Sequence, residues 1–117
     1  MSAPYVRPKY VYLAGPYTNP DPNRNVKAAL DDAKLLIEAG FIPFVPHLYH
    51  LFDLVHPMPY ETWMTLDLAW IARCDVLVRR PGDSSGADRE VEHALNLGKP
   101  VFYGVKEFLM HVLQGGA

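Results

Sequence analysis

The sequence is poor in cysteine and has no marked excess of charge of either sign. Cys74 is the only cysteine, which excludes an intrachain disulfide and a cysteine-rich zinc site, so we expect it to be a small buried apolar side chain. A formal net charge of -2 offers no sequence-wide reason to bind a nucleic acid polymer. No apolar run approaches the roughly 20 residues that span a bilayer, and Met1 to Tyr10 lack the apolar stretch of a secretory signal. We therefore expect a cytoplasmic protein that acts away from membranes.

Two phosphate-binding signatures are also missing. The sequence contains neither Gly-x-x-x-x-Gly-Lys-Ser/Thr nor Gly-x-Gly-x-x-Gly, which argues against a nucleoside triphosphatase or a dinucleotide enzyme. His47, His50 and His56 lie in a segment of prolines and aromatics with few acids, so we interpret them as stacking or loop-packing residues and predict no metal and no organic cofactor. A length of 117 residues predicts one domain, 1–117, with one active site.

Strand and helix patterns alternate along the chain. The predicted strands are 9–14, 41–45, 74–79 and 101–103, and the predicted helices run from Asp21-Pro22 to Gly40, over 60–73, over 86–97 and after 103. Residues 46–59 are predicted to form a loop. Pro43 places the second strand at a sheet edge, because proline removes a backbone donor. These patterns predict an α/β, flavodoxin-like (Rossmann-like) three-layer sandwich with a mostly parallel sheet of four to five strands.

Ligands of such sheets bind beyond the carboxyl ends of the strands, where Gly15 to Asn19, the histidine loop and Pro81 to Glu90 should converge. We place Glu90 in the first turn of a helix, where the helix dipole would keep it ionised, as a nucleophile requires. Asp67 shares a helix face with two tryptophans, which should raise its pKa and suit it to donate a proton. An ordinary helix-start acid at Glu90 and a partly solvated acid at Asp67 are the alternative interpretations.

Three segments together carry a family resemblance. They are Tyr12-Leu13-Ala14-Gly15-Pro16-Tyr17; Leu66 to Ile71 with Cys74 to Val78; and Ser85-Gly86 through Glu90 with Ala94, Gly98, Lys99 and Pro100. In these residues the chain resembles the nucleoside 2-deoxyribosyltransferase superfamily, including the nucleoside 5'-monophosphate N-glycosidases and small relatives with the Ala-Gly-Pro opening. The resemblance covers residues 9 to 103.

The resemblance implies cleavage or transfer at the N-glycosidic bond of a nucleoside or its 5'-monophosphate, without a cofactor, in a homodimer or larger homo-oligomer. The implied catalytic residues are Glu90 as the nucleophile, Asp67 near the base and Tyr17 near the nucleophile. The candidate substrate-binding residues are Gly15, Pro16, His47, Asp83, Ser84, Ser85 and Gly86. Because the serines and helix amides can receive an anion, we expect monophosphates to bind better than nucleosides. A non-catalytic nucleotide-binding or sensing module of the same fold is the alternative, and a structural partner domain is a third.

Overall fold

The computed structural model describes residues 9–115; the amino-terminal segment in which we expect no secretory signal lies mostly outside this range. Its four strands and five α-helices follow one another in this order: β1 Tyr10–Ala14, α1 Pro22–Glu38, β2 Ile42–Phe44, α2 Tyr49–Val55, α3 Tyr60–Arg73, β3 Val76–Arg79, α4 Ser85–Asn96, β4 Val101–Tyr103 and α5 Val105–Leu113. None of these helices is both long enough and apolar enough to cross a membrane.

The four strands form one parallel sheet in the order β2-β1-β3-β4. This order confirms the predicted flavodoxin-like arrangement and the edge position of the second strand. Pro43 lies in β2 and pairs in register with Val11 of β1. Its missing N–H is tolerated because β2 has a neighbour on one side only. Ala14 and Arg79 are the last residues of the central strands β1 and β3, and they pair in register. Both strands therefore end on the same side of the sheet.

The helices cover both faces of the sheet. Val11 and Leu13 point to the face packed by α1 and α5, whereas Tyr12 and Ala14 point to the face packed by α3 and α4. This alternation follows from the two-residue period of a strand. Cys74 lies in the second of these clusters and is buried, as predicted. The structure therefore has the expected three layers, and Tyr12 carries its hydroxyl into the α3–α4 side.

Two predictions about the helices were wrong: the loop assigned to residues 46–59 and the start of α4. The segment 46–59 is mostly helical, with a 3-10 turn over Pro46–Leu48 followed by α2. The proline-rich composition obscured this short helix, which has no buried residue of its own and depends on contacts with neighbouring aromatics. Helix α4 begins at Ser85 and not at Gly86, since Ser84 is its N-cap and accepts a hydrogen bond from the Ala87 amide at 3.0 Å.

Candidate functional site

One cavity of about 400 Å³ lies at the carboxyl edge of the sheet. It is enclosed by the β1–α1 loop, the segment after β2, helix α3 and the start of α4. All ten predicted site residues line it: Gly15, Pro16, Tyr17, His47, Asp67, Asp83, Ser84, Ser85, Gly86 and Glu90. The structure thus brings these residues together.

Glu90 is the sixth residue of α4 and is only 5% exposed. The position assigned to it from the sequence, in the exposed first turn under the direct influence of the helix dipole, was wrong. Its Oε2 accepts a hydrogen bond of 2.5 Å from the Tyr12 hydroxyl, which comes from β1 on the same face of the sheet. Burial of Tyr12 and the adjacent Glu90 carboxyl raise the pKa of Tyr12 well above its ordinary value, so its hydroxyl stays protonated and remains a donor.

Burial raises the pKa of Glu90 to about 8, and the neighbouring Asp67 carboxyl adds to the rise, whereas the hydrogen bond from Tyr12 acts in the opposite direction. The expectation that Glu90 is held ionised by its helix alone is therefore wrong. Burial also raises the pKa of Asp67 to about 6, as its aromatic surroundings led us to expect. Between these two values, the two carboxyls together hold one proton.

Asp67 lies on α3 and lines the cavity, and its Oδ1 is buried without a hydrogen-bond partner in residues 9–115. The indole N–H groups of the two tryptophans on its helix are bound to other residues, since Trp63 donates to Asp53 at 2.9 Å and Trp70 donates to the Tyr49 hydroxyl at 3.1 Å. An unpaired buried carboxyl oxygen costs free energy unless it is protonated or meets a ligand. This oxygen is thus a candidate contact for a bound molecule.

Tyr17 was expected near the nucleophile, but within residues 9–115 the tyrosine that donates a hydrogen bond to Glu90 is Tyr12. The Tyr17 hydroxyl instead contacts Nδ1 of His50 on α2. His47 is 2% exposed, and its Nε2–H donates to the Pro16 carbonyl at 2.8 Å. Burial lowers the pKa of His47, which keeps its ring neutral. The two histidines therefore attach the β1–α1 loop to the wall formed by the segment after β2.

Close backbone packing shapes the edge of the cavity. A Cβ built on Gly15 would lie 2.9 Å from the Cβ of Arg80, and one on Gly82 would lie 2.7 Å from the Pro16 ring. Gly82 also has a φ of 114°, a conformation that side chains other than glycine rarely adopt. These contacts hold the loops after β1 and β3 against each other beside the predicted serines.

The cavity wall is acidic. Asp53, Asp67, Asp83 and Glu90 line it, and no lysine or arginine of residues 9–115 does so. Arg79, Arg80 and Arg89 are paired with carboxylates, at 3.0 Å for Arg79–Asp88, 2.6 Å for Arg80–Asp32 and 2.8 Å for Arg89–Glu61. We expected a 5'-monophosphate to bind better than a nucleoside, but no positively charged side chain of residues 9–115 lines the cavity to support that preference.

Sequence reasoning missed Tyr12 and the whole of α2. The sequence did contain a signal for Tyr12: it is a polar side chain within a strand that was predicted to be buried, on the same face as Ala14. A buried hydroxyl needs a hydrogen-bond partner. Tyr49, His50 and Asp53 of α2 also line the cavity, but no helical period marked that segment. Part of the α3 surface is covered within the chain, since Trp63 packs on Tyr49 with ring centroids 5.2 Å apart.

Solved structures share this fold. A 2-deoxyribosyltransferase from the psychrotolerant bacterium Bacillus psychrosaccharolyticus, described as a biocatalyst for nucleoside synthesis, aligns with a TM-score of 0.61 and 27% identity over 80% of this chain and 70% of that chain. A 2-desoxiribosyltransferase from Leishmania mexicana aligns with a TM-score of 0.61 and 21% identity over 82% of this chain. The present chain spans 63% of the Leishmania protein.

The fold and the cavity at its carboxyl edge define the class: an α/β protein with the architecture of the 2-deoxyribosyltransferases. A comparison with curated proteins gives no significant match. The chain belongs to the family described as a domain of unknown function, DUF7768, whose model matches residues 9–104.

Proposed function

We propose that the protein cleaves or transfers at the N-glycosidic bond of a nucleoside, with Glu90 as the nucleophile. The observation that carries this proposal is the pairing of the buried Glu90 with the half-buried Asp67 in one cavity, with the Tyr12 hydroxyl donating to Glu90. Two carboxyl groups of different protonation are the usual requirement for retaining glycoside chemistry. The similarity to nucleoside-processing enzymes of the same fold supports the choice of an N-glycoside as substrate.

In the proposed reaction, Glu90 attacks the anomeric carbon as the bond from that carbon to the base nitrogen breaks. The electron pair of that bond stays with the base, which takes a proton from Asp67. The single proton held by the pair must therefore lie on Asp67 when Glu90 attacks. Because the pKa of Glu90, about 8, exceeds that of Asp67, about 6, the proton lies mainly on Glu90 in the free protein and must move to Asp67 before the attack. The Tyr12 hydrogen bond lowers the cost of ionising Glu90. Water or a second base then releases the sugar from Glu90, which decides between hydrolysis and transfer.

A nucleoside fits the cavity better than its 5'-monophosphate. Four carboxyl groups line the wall, and the arginines at its margin are already paired. A phosphate would meet repulsion without a compensating cation, despite the amides at the start of α4.

We also propose that the chain forms a homodimer or larger homo-oligomer. Leu51, Leu54 and Val55 of α2 are 65% to 71% exposed beside the cavity, and their burial between copies would remove this apolar surface from water. Light scattering at assay concentration tests this assignment, and a monomer would contradict it.

The activity is tested by incubating the protein with a panel of nucleosides, with and without acceptor bases, and measuring free base by chromatography. We expect base release from wild type and a loss of at least about 1,000-fold in Glu90→Gln, since the amide cannot form the sugar ester. Glu92→Gln, an exposed substitution on the same helix, is the matched control and should retain wild-type rates. Ligand binding without base release by wild type would instead favour the non-catalytic binding module.

A further inference from the structure

The Tyr17–His50 contact lies at the cavity and has no part in the chemistry of the carboxyl pair. Tyr17 belongs to the β1–α1 loop and His50 to the first turn of α2, and their rings meet edge to face with centroids 5.6 Å apart. Both side chains line the cavity. The contact joins the Tyr17 hydroxyl to Nδ1 of His50. It therefore sets which nitrogen of the imidazole carries the proton.

A phenol hydroxyl is a stronger donor than a neutral imidazole N–H, and an imidazole nitrogen is a strong acceptor. The Tyr17 hydroxyl accordingly donates to Nδ1, which leaves Nε2 as the nitrogen that carries the ring hydrogen. His50 is half-buried, and within residues 9–115 its Nε2 has no hydrogen-bond partner. The pair thus presents one nitrogen donor of fixed tautomer beside the cavity.

The surroundings of His50 suit a nucleobase. Tyr49 and Trp63 line the same wall, and their rings offer aromatic faces on which a planar base can stack. The Oδ1 atom of the neighbouring Asp53 accepts hydrogen bonds from the Trp63 indole at 2.9 Å and the Met58 amide at 3.2 Å. This oxygen therefore does not accept a hydrogen bond from His50. An acidic cavity repels the negative charge that a departing base acquires. A hydrogen-bond donor at this wall would stabilise that charge.

We propose that His50 is a specificity-determining residue whose Nε2–H donates a hydrogen bond to the nucleobase, at a ring nitrogen or carbonyl oxygen. This inference rests on the proposed function. The electron pair of the broken bond moves onto the base, and the His50 hydrogen bond stabilises that charge while the proton that neutralises it comes from Asp67. Tyr17 is a positioning residue, because it fixes the tautomer of His50.

The test compares nucleosides that share a sugar and differ in the acidity of the leaving base: deoxyuridine with 5-fluorodeoxyuridine, and deoxyadenosine with 2-fluorodeoxyadenosine. In whichever pair wild type cleaves, His50→Phe should lower kcat/KM about 10- to 100-fold for the parent nucleoside and clearly less for the fluorinated one, since a better leaving group needs less help. His50→Gln, which restores an N–H donor, should recover part of the loss. His56→Phe is the matched control and should stay within about twofold of wild type.

An equal loss with both members of a pair, or no loss, would overturn the inference, because a purely structural role would not depend on the leaving group. Calorimetric titration with free uracil and adenine separates the two proposals. Wild type that binds a base without cleaving any nucleoside contradicts the proposed function alone. His50→Phe that binds the base as tightly as wild type contradicts the role of His50, and wild type that neither binds nor cleaves contradicts both.

Discussion

Glu90→Gln should make the protein more stable at alkaline pH while it abolishes activity. Glu90 is buried beside a second carboxyl, so its ionisation in the folded state is unfavourable. Glutamine has nearly the same shape and resembles the protonated acid, and its amide oxygen can still accept the hydrogen bond from Tyr12. The substitution therefore removes the cost of the charge without leaving a cavity.

The sign and size of this difference in the free energy of unfolding follow from the pKa of Glu90. Its folded-state value of about 8 lies above the ordinary value of 4.5, so over this interval the folded state binds more protons than the unfolded state. Wild-type stability should then fall, relative to Glu90→Gln, as pH rises from about 4.5 through 8. At about 1.4 kcal/mol per pKa unit, the rise corresponds to a difference of up to about 5 kcal/mol at pH 9.

The free energy of unfolding is measured by urea titration at pH 5, 7 and 9, followed by tryptophan fluorescence. Wild type and Glu90→Gln should differ little at pH 5 and by several kcal/mol at pH 9, with the variant more stable. Glu92→Gln controls for the loss of one negative charge from α4 and should follow wild type at every pH. A constant difference between wild type and Glu90→Gln across this range would refute the assignment of a buried, protonated Glu90.

Three further outcomes are expected. Tyr12→Phe removes a hydrogen bond that favours the ionised Glu90, so the acidic limb of the pH–rate profile should move to higher pH; an unmoved limb would show that Tyr12 does not tune the nucleophile. Ser84→Ala should lower the free energy of unfolding by about 1 kcal/mol in urea titrations, because it removes the cap of α4, and Ser85→Ala should change it by less than about 0.5 kcal/mol. By calorimetry, a nucleoside should bind at least about tenfold more tightly than its 5'-monophosphate; equal or tighter binding of the monophosphate would count against the acidic cavity as the sugar site.

The parallel order of the sheet could be predicted because its signals are local. Apolar strands alternate with helices, the first of which has its start marked by Asp21-Pro22, and Pro43 excludes β2 from the centre of the sheet. The convergence of the predicted site residues on one cavity follows from that topology, since the carboxyl ends of parallel strands meet at one edge.

The remaining features depend on tertiary contacts. Helix α2 has no buried residue and is supported by Trp63 and Trp70 of α3, which no helical period within α2 could indicate. The partner of Glu90 could not be chosen from the sequence, because Tyr12 and Tyr17 both lie near the end of β1 and only the packing of α4 on the sheet selects Tyr12. Glu90 lies beyond the first turn of its helix and is buried, so desolvation raises its pKa where the start of the helix was expected to keep it ionised.

The most direct test of the central claim is to look for the sugar bound to Glu90. The protein is mixed with a nucleoside fluorinated at C2 of the sugar, which slows release of a covalent intermediate, and its intact mass and peptides are measured by mass spectrometry. We predict an increase equal to one fluorinated sugar, located on the peptide that contains Glu90 and absent from Glu90→Gln. Release of the base by wild type without any adduct, or an adduct on another residue, would contradict the account.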